Sequence, residues 1–582
     1  MDENRDSAQD AVRAYVPPAL ETGRAWGFAL NVYALRSSRN WGIGDFGDLR
    51  AFVGYASRLG ADVIGLSPLH ALHFTQPEAA SPYAPASRYF LNPLYIDIGS
   101  VGELAAHVPA AAALRARIAS APLAQTLATL RAASRVDYAG VAQAKWPVLD
   151  ACHEIFQAGG DTRRSAAFRV FCEERGERLE RFALYGALSE WFARDETALR
   201  GWSCWPPEYH DPHSDAVRSF AGAARPRIDY FKYLQWLAHE QLAIVAREAG
   251  RLAIGLYVDV AVGVDVDSAD VWSDRSAYIL DETVGAPPDP LGPLGQNWGL
   301  PPPDPPAMLR DGGADFAALL ASNMEYAGAL RLDHAMALLR LFRIPRGKTP
   351  AAGAYALYPF EELLAIAARE SERAHCLIVG EDLGNVPDGF RERMERARIL
   401  SYRLLLFERE SDGRFKPPDA YPALALATTT THDLPTLSGW ALGCDIDTRE
   451  RIGIMTSDAV RDARATRRIE ASQLLDALRQ HRELGDLEVE RLHRSLDEQA
   501  TDTAAYQPLV RAAYRYLASS RARLVLVQLD DALGEFEQIN VPGTYGEYPN
   551  WRRKNRLGLA ELAGDEGVAA IARDVRERVK NG

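Results

Sequence analysis

The sequence predicts an α/β protein: a (β/α)8 TIM barrel with large, mostly helical insertions between its strands. Three observations carry this reading. Eight short apolar segments, rich in β-branched residues, are spread along the chain; helical patterns follow individual segments; and the segments end in polar or charged side chains. Continuous apolar runs suit parallel strands buried on both faces. Polar residues at the strand ends suit the C-terminal mouth, where barrel active sites lie.

In order the segments are "GFALNVYAL" (27–35), "DVIGLSPL" (62–69), "GLYVDVAVGV" (255–264), "ALRLDH" (329–334), "CLIVGEDLG" (376–384), "SYRLLLF" (401–407), "ALATTTTHD" (425–433) and "ARLVLVQLDDA" (522–532). Helical patterns such as "FGDLRAFVGYASRLG" and "PFEELLAIAARESERA" supply the alternation. A bare barrel needs about 250 residues, so more than half of these 582 residues must be insertion. Residues 1–22 read as a loosely held tail and 23–582 as the barrel unit. The interval of about 100–250 is Ala/Arg-rich and helical, an inserted subdomain between the second and third strands. Residues 283–326 contain "GAPPDPLGPLGQNWGLPPPDPP" and read as an ordered lid loop across the mouth. Residues 435–520 are again helical and charged.

Composition narrows the function. Apolar residues make up 47% and charged residues 25%, as in globular proteins. The net charge of −13 disfavours nucleic acid or an anionic membrane as the main partner and fits a neutral or cationic small substrate. Five scattered cysteines without CxxC spacing fit a reducing compartment and provide no metal framework. The acidic start "MDENRDSAQDAVRAY" is no signal peptide, and no apolar run reaches a membrane span of roughly 18 residues. The expectation is a cytoplasmic protein.

Asp333, Glu381 and Asp433 each close a different apolar segment. Retaining cleavage of a glycosidic bond needs two carboxyl groups about 5–5.5 Å apart, one as nucleophile and one as acid/base. The period of two in "RLDH" puts Arg331 on the same face as Asp333, where its guanidinium would keep that carboxylate charged. Glu381 in "VGEDLG" would need the opposite, a raised pKa. The competing reading for any one such acid is a helix cap or a loop ion pair, and Asp382 is assigned to capping.

Longer motifs extend this reading. The chain resembles the 4-α-glucanotransferases (amylomaltases, or disproportionating enzymes) of glycoside hydrolase family 77 in the α-amylase clan. The resemblance rests on "NWGIGDFGDL" (40–49), "ASPYAPASRYFLNPLYIDI" (80–98), "GLYVDVAVGVDVDSADVW" (255–272), "VGAPPDPLGPLGQNWG" (284–299), "LRLDHAM" (330–336), "VGEDLG" (379–384), "TTHDLPT" (430–436) and "NVPGTYGEYPNWRRK" (540–554). It implies that Asp333 is the nucleophile, Glu381 the acid/base and Asp433 a third carboxylate that grips sugar hydroxyls and stabilises the transition state. It also implies substrate-binding roles for Arg331, His432, Asp259, Tyr83, Gln296 and Trp298. Donors and acceptors would be maltodextrins and glucose, with no metal or organic cofactor. An α-amylase-like hydrolase is the alternative.

Bland roles compete for the accessory residues: packing for Tyr83, loop anchoring for Trp298, a satisfied carbonyl for His432. His334 is assigned a structural role by strand parity. "YPNWRRK" is assigned to scaffolding, with Trp551 packed and Arg552 and Arg553 paired. Longer relatives carry an extra N-terminal segment whose role is not transferred to this chain.

Overall fold

Each of the eight apolar segments supplies one strand of a closed parallel barrel. In the computed structural model, which describes residues 13–159, 161–194, 201–288, 294–544 and 546–581, the strands are β1 (Ala25–Leu30), β2 (Val63–Leu66), β3 (Gly255–Val260), β4 (Ala329–Leu332), β5 (Leu377–Gly380), β6 (Leu400–Leu404), β7 (Ala425–Thr428) and β8 (Leu524–Gln528). They close in the order β1-β8-β7-β6-β5-β4-β3-β2, all parallel. Residues 1–12 of the expected tail and 289–293 of the expected lid lie outside the described residues.

Every residue of β2, β3, β4, β5 and β7 is buried, because the barrel interior covers one face and helices the other. The interior is filled by Val63, Tyr257, Ala329, Leu377, Val379, Tyr402, Leu426 and Leu526, among others. This layer matters for function through strand parity. Stepping two residues along each strand leads from Tyr257 to Asp259, from Ala329 through Arg331 to Asp333, and from Val379 to Glu381. The register pairs Arg331 with Asp259 on one side and with Val379 on the other. One pleat later, Asp333 and Glu381 therefore leave the barrel at the same level.

Between β2 and β3 run the helices Pro109–Ile118, Ala121–Ala132, Tyr138–Gln157, Thr162–Phe192, Asp215–Ala223 and Arg225–Ala249. Between β7 and β8 lie Leu437–Leu442, Cys444–Arg451, Ser457–Gln480, Asp486–Asp497 and Gln507–Ala518. The span 283–326, read from sequence as a loop, is more regular than that. It contributes to an antiparallel sheet of Ala354–Leu357, Arg340–Pro345, Glu282–Ala286 and Gln296–Asn297, in that order. It also holds the helix Ala314–Met324. The Pro/Gly signal dominates only its first half, and "ADFAALLASNM" has ordinary helical composition.

Barrel closure demands a glycine at 27. A Cβ there would lie 1.8 Å from the Val63 carbonyl oxygen and 2.6 Å from Val63 Cγ1. No rotamer change relieves a clash with backbone. Gly27→Ala is expected to destabilise by about 3 kcal/mol, seen as a lowered thermal midpoint. Gly222→Ala, on a helix and with no neighbour within 4 Å, is expected to be neutral or slightly stabilising. Equal midpoints for the two variants would refute the close-approach argument.

Candidate active site

The charged centre of the mouth is Arg331, buried on β4. Its Nη1 donates to Asp259 Oδ1 at 3.0 Å, to Asp259 Oδ2 at 2.9 Å and to Asp333 Oδ1 at 2.7 Å. Its Nη2 lies 4.0 Å from Glu381 Oε2. One guanidinium thus faces carboxylates from β3, from the end of β4 and from the end of β5. Tyr402 lies beneath it, 5.7 Å from ring centroid to guanidinium carbon, a cation–π arrangement. Burial disfavours ionised carboxylates at this depth and Arg331 opposes it, yet burial still leaves the Asp259 and Glu381 carboxyls raised.

Glu381 is fixed by two backbone donors, the His334 N–H at 2.9 Å on Oε2 and the Leu383 N–H at 2.8 Å on Oε1. His334 makes its contact from a left-handed backbone (φ 46°), which turns the chain immediately after Asp333. Burial raises the Glu381 carboxyl, Arg331 pulls it down, the charge of Asp333 raises it and the two amides lower it, for a net rise to about 7. A carboxyl held there is protonated in about half the molecules near neutrality.

Asp433 lies on the loop beyond β7. Its Oδ1 accepts from Asn540 Nδ2 at 2.6 Å, and its Oδ2 lies 3.4 Å from His432 Nε2. Burial works against its ionisation, but His432 and Asn540 outweigh that and lower its pKa. Burial likewise works against protonation of His432, and Asp433 overrides it, raising the imidazole above its ordinary value. The Asp433 side chain is 46% exposed, against 17% for Asp333 and 11% for Glu381, so it is the carboxylate most open to the cleft.

Tyr83 joins the β3 and β7 sides. Its hydroxyl donates to Asp259 Oδ2 at 2.5 Å, and its ring stacks on His432 with centroids 4.7 Å apart and planes 24° apart. The packing weighed for Tyr83 is present, beside a hydrogen bond to Asp259. Gln296 and Trp298 lie in the span 283–326: Trp298 Nε1 donates to Gln296 Oε1 at 2.9 Å, and the indole meets His334 edge-on at 5.2 Å. The anchoring role weighed for Trp298 is present, and its anchor point is the residue after Asp333.

Several features were not foreseen. Asn540 opens the quoted "NVPGTYGEYPNWRRK", yet nothing in its spacing tells that its amide meets Asp433. Trp551 is buried as expected and also backs the stack, 5.5 Å from Tyr83 and 5.1 Å from His432. Arg552 pairs with Glu78, and Arg553 with Asp530 and Glu535. Asp382 caps no helix: it accepts from the Tyr402 N–H at 2.9 Å, Ser401 Oγ at 2.6 Å and Arg391 Nε at 2.7 Å. It pins β6 beside β5.

A closed parallel barrel that gathers acidic side chains from successive strands around one arginine at its C-terminal mouth defines a (β/α)8 enzyme. Residues 30–559 match the family described as 4-alpha-glucanotransferase, glycoside hydrolase family 77. The chain is 36% identical over 564 residues to the 4-alpha-glucanotransferase of Haemophilus influenzae, covering 95% of this chain and 79% of that one. It is 33% identical over 573 residues to that of Mycobacterium tuberculosis, covering 96% and 74%. The fold superposes on amylomaltase from Corynebacterium glutamicum with a TM-score of 0.82 and 30% identity, covering 95% of this chain and 75% of that one. It also matches in fold an amylomaltase from Streptococcus agalactiae solved with acarbose (TM-score 0.73, 19% identity, 95% and 98% covered). The chain belongs to the 4-alpha-glucanotransferase family and is a glucanotransferase. No helix among the described residues is long and apolar enough to cross a membrane.

The electrostatics give a direct test. Asp333→Asn removes a like charge next to Glu381, so the Glu381 pKa is expected to fall below about 7. Carbon-13 NMR of labelled glutamate would follow this titration. An unchanged value would mean that the Asp333 charge does not contribute to it.

Proposed function

We propose that the enzyme transfers α-1,4-glucan segments from a donor maltodextrin to the 4-hydroxyl of an acceptor glucan or glucose, through a covalent glucosyl–Asp333 intermediate. The observation that carries this reading is the sharing of Arg331 by Asp333 and Glu381, one carboxylate ion-paired and the other held near half-protonation. A carboxylate ion-paired to a permanent cation beside a carboxyl raised by burial suits a nucleophile and a general acid.

In the first step Asp333 attacks the anomeric carbon as the C1–O bond breaks. Glu381 gives its proton to the departing oxygen, which leaves as the 4-hydroxyl of the released glucan. In the second step an acceptor 4-hydroxyl attacks the same carbon, Glu381 takes its proton, and Asp333 is released. Two inversions give net retention. Arg331 holds Asp333 Oδ1, leaving the second oxygen to form the ester. Asp433, braced by Asn540 and His432, grips sugar hydroxyls and stabilises the transition state; Tyr83 and His432 face the same sugar. Asp259 anchors Arg331 from below.

Transfer requires that an acceptor hydroxyl displace the ester faster than water does. Trp298 meets His334, the residue after Asp333, edge-on; a lid formed by its segment would favour a bound acceptor by positioning and limit solvent. With maltotriose as sole substrate, the expected products are glucose and longer maltodextrins at constant total reducing ends. A steady rise in reducing ends would instead establish an α-amylase-like hydrolase.

Two further outcomes are expected. Asp333→Asn abolishes turnover while maltodextrin affinity stays within roughly tenfold, about 1.4 kcal/mol; full activity in that variant would remove the nucleophile assignment. Because the acid must be protonated in the free enzyme, kcat/KM is expected to fall as pH rises through about 7, the Glu381 value. An alkaline limb that leaves this region flat would place the acid elsewhere.

A further inference from the structure

Glu381 is fastened to both sides of Asp333 through backbone as well as through Arg331. The Glu381 N–H donates to the Leu332 carbonyl at 3.0 Å, and the Ala335 N–H donates to the Glu381 carbonyl at 2.8 Å. Between them the His334 N–H reaches Glu381 Oε2 at 2.9 Å, from a left-handed backbone (φ 46°). That conformation crowds any residue with a Cβ and is most readily held by glycine or asparagine. Histidine at 334 therefore weakens the turn unless its side chain has a partner there.

The imidazole does not cap the short helical turn Ala335–Leu338 that follows it. Among the described residues its one ring contact is Trp298, edge-on with centroids 5.2 Å apart. It also borders a cavity lined by Met308, Phe316, Leu320, Leu338 and Leu341. Trp298 is itself held at two points: its backbone N–H donates to the Val284 carbonyl and its Nε1 to Gln296 Oε1, both at 2.9 Å. Val284 pairs with Arg343, on the strand Arg340–Pro345 that continues from the turn. The indole is thus fixed to the sheet that grows out of the turn, and it meets the residue that starts that turn.

We propose that Trp298 is a positioning residue for the acid/base: seated on His334, it holds the left-handed turn whose amide fixes the Glu381 carboxyl. The route runs from the Trp298 ring to the His334 ring and from the His334 backbone to Glu381, and no sugar takes part in it. A glycine at 334 would hold the same turn unaided, so the brace is needed because the residue is histidine. This inference rests on the assignment of Glu381 as acid/base above. The amide favours the ionised carboxylate, so loosening it moves the Glu381 titration to higher pH. The other groups acting on Glu381 are Arg331 and Asp333 from the β4 side, Tyr257 from β3 and Tyr402 from β6. Displacing Asp333 would move the titration the opposite way, because a like charge would be removed.

The test reads the alkaline limb of kcat/KM and, separately, the Glu381 carboxyl by carbon-13 NMR, assigned as the glutamate resonance lost in Glu381→Gln. In Trp298→Ala both are expected to rise by roughly half to one pH unit, the scale of one weakened hydrogen bond to a charged group. Trp298→Phe, which keeps a ring against His334, is expected to restore both. Adding His334→Gly to Trp298→Ala should also bring both back. His334→Val, which resists the left-handed region, should reproduce the shift with Trp298 intact. A Trp298→Ala enzyme whose acceptor KM rises while both titrations stay put overturns the proposal, since Trp298 would then serve only the sugar. So does a shift that His334→Gly leaves in place. The two readouts separate this inference from the acid assignment. A carboxyl that moves while the rate limb does not upholds the positioning role and removes Glu381 as the acid; an unmoved carboxyl beside an intact wild-type limb does the reverse.

Discussion

The mouth of this barrel depends on Arg331. A buried carboxylate without a partner would protonate or unfold its surroundings, because desolvation costs several kcal/mol per ion. Arg331 touches Asp259 and Asp333 at hydrogen-bond distance and lies near Glu381. Its planar, permanently charged fork can face several acids at once, which a lysine could not do. The uneven sharing matters as much as the pairing. Asp333 receives a direct bond, whereas Glu381 receives only a distant one and two amide donors, so burial prevails at Glu381. Burial prevails in the same direction at Asp259, even though Arg331 meets both of its oxygens.

Around that centre the support is layered. Asp382 ties β5 to β6 through Tyr402 and Ser401, and Tyr402 lies under Arg331. Asn540 and His432 brace Asp433 from two directions. Trp551 backs the Tyr83–His432 stack from a strained, left-handed backbone (φ 59°). These residues come from several segments far apart in the chain, so the site is assembled by the closed sheet and its long connections together.

The barrel was legible in the sequence because its signal is local. Each strand is a short apolar run that ends in a polar group, and the period of two ties Arg331 to Asp333 within a single tripeptide. Glu381 and Asp433 could be named for the same reason. Partners distant in sequence carry no such mark. The Asn540–Asp433 bond, the Trp551 backing and the use of Asp382 as a strand pin all depend on which loops meet, and periodicity does not report that. His334 shows a subtler limit: parity gave its side chain a structural role, but its left-handed backbone turns its amide onto Glu381. The lid strands were hidden by proline and glycine, residues that read as loop wherever they cluster.

Closure of the sheet has a consequence for biosynthesis. β1 is zipped along its length to β8, with Ala25 beside Leu524 and Ala29 beside Gln528. A ribosome-bound nascent chain therefore holds the first strand long before its final neighbour emerges, and both would-be margins of the cylinder stay bare meanwhile. The long helical connections between strands give the growing polypeptide substantial local structure to form during that wait, and the catalytic mouth takes its final shape only when the last staves are set.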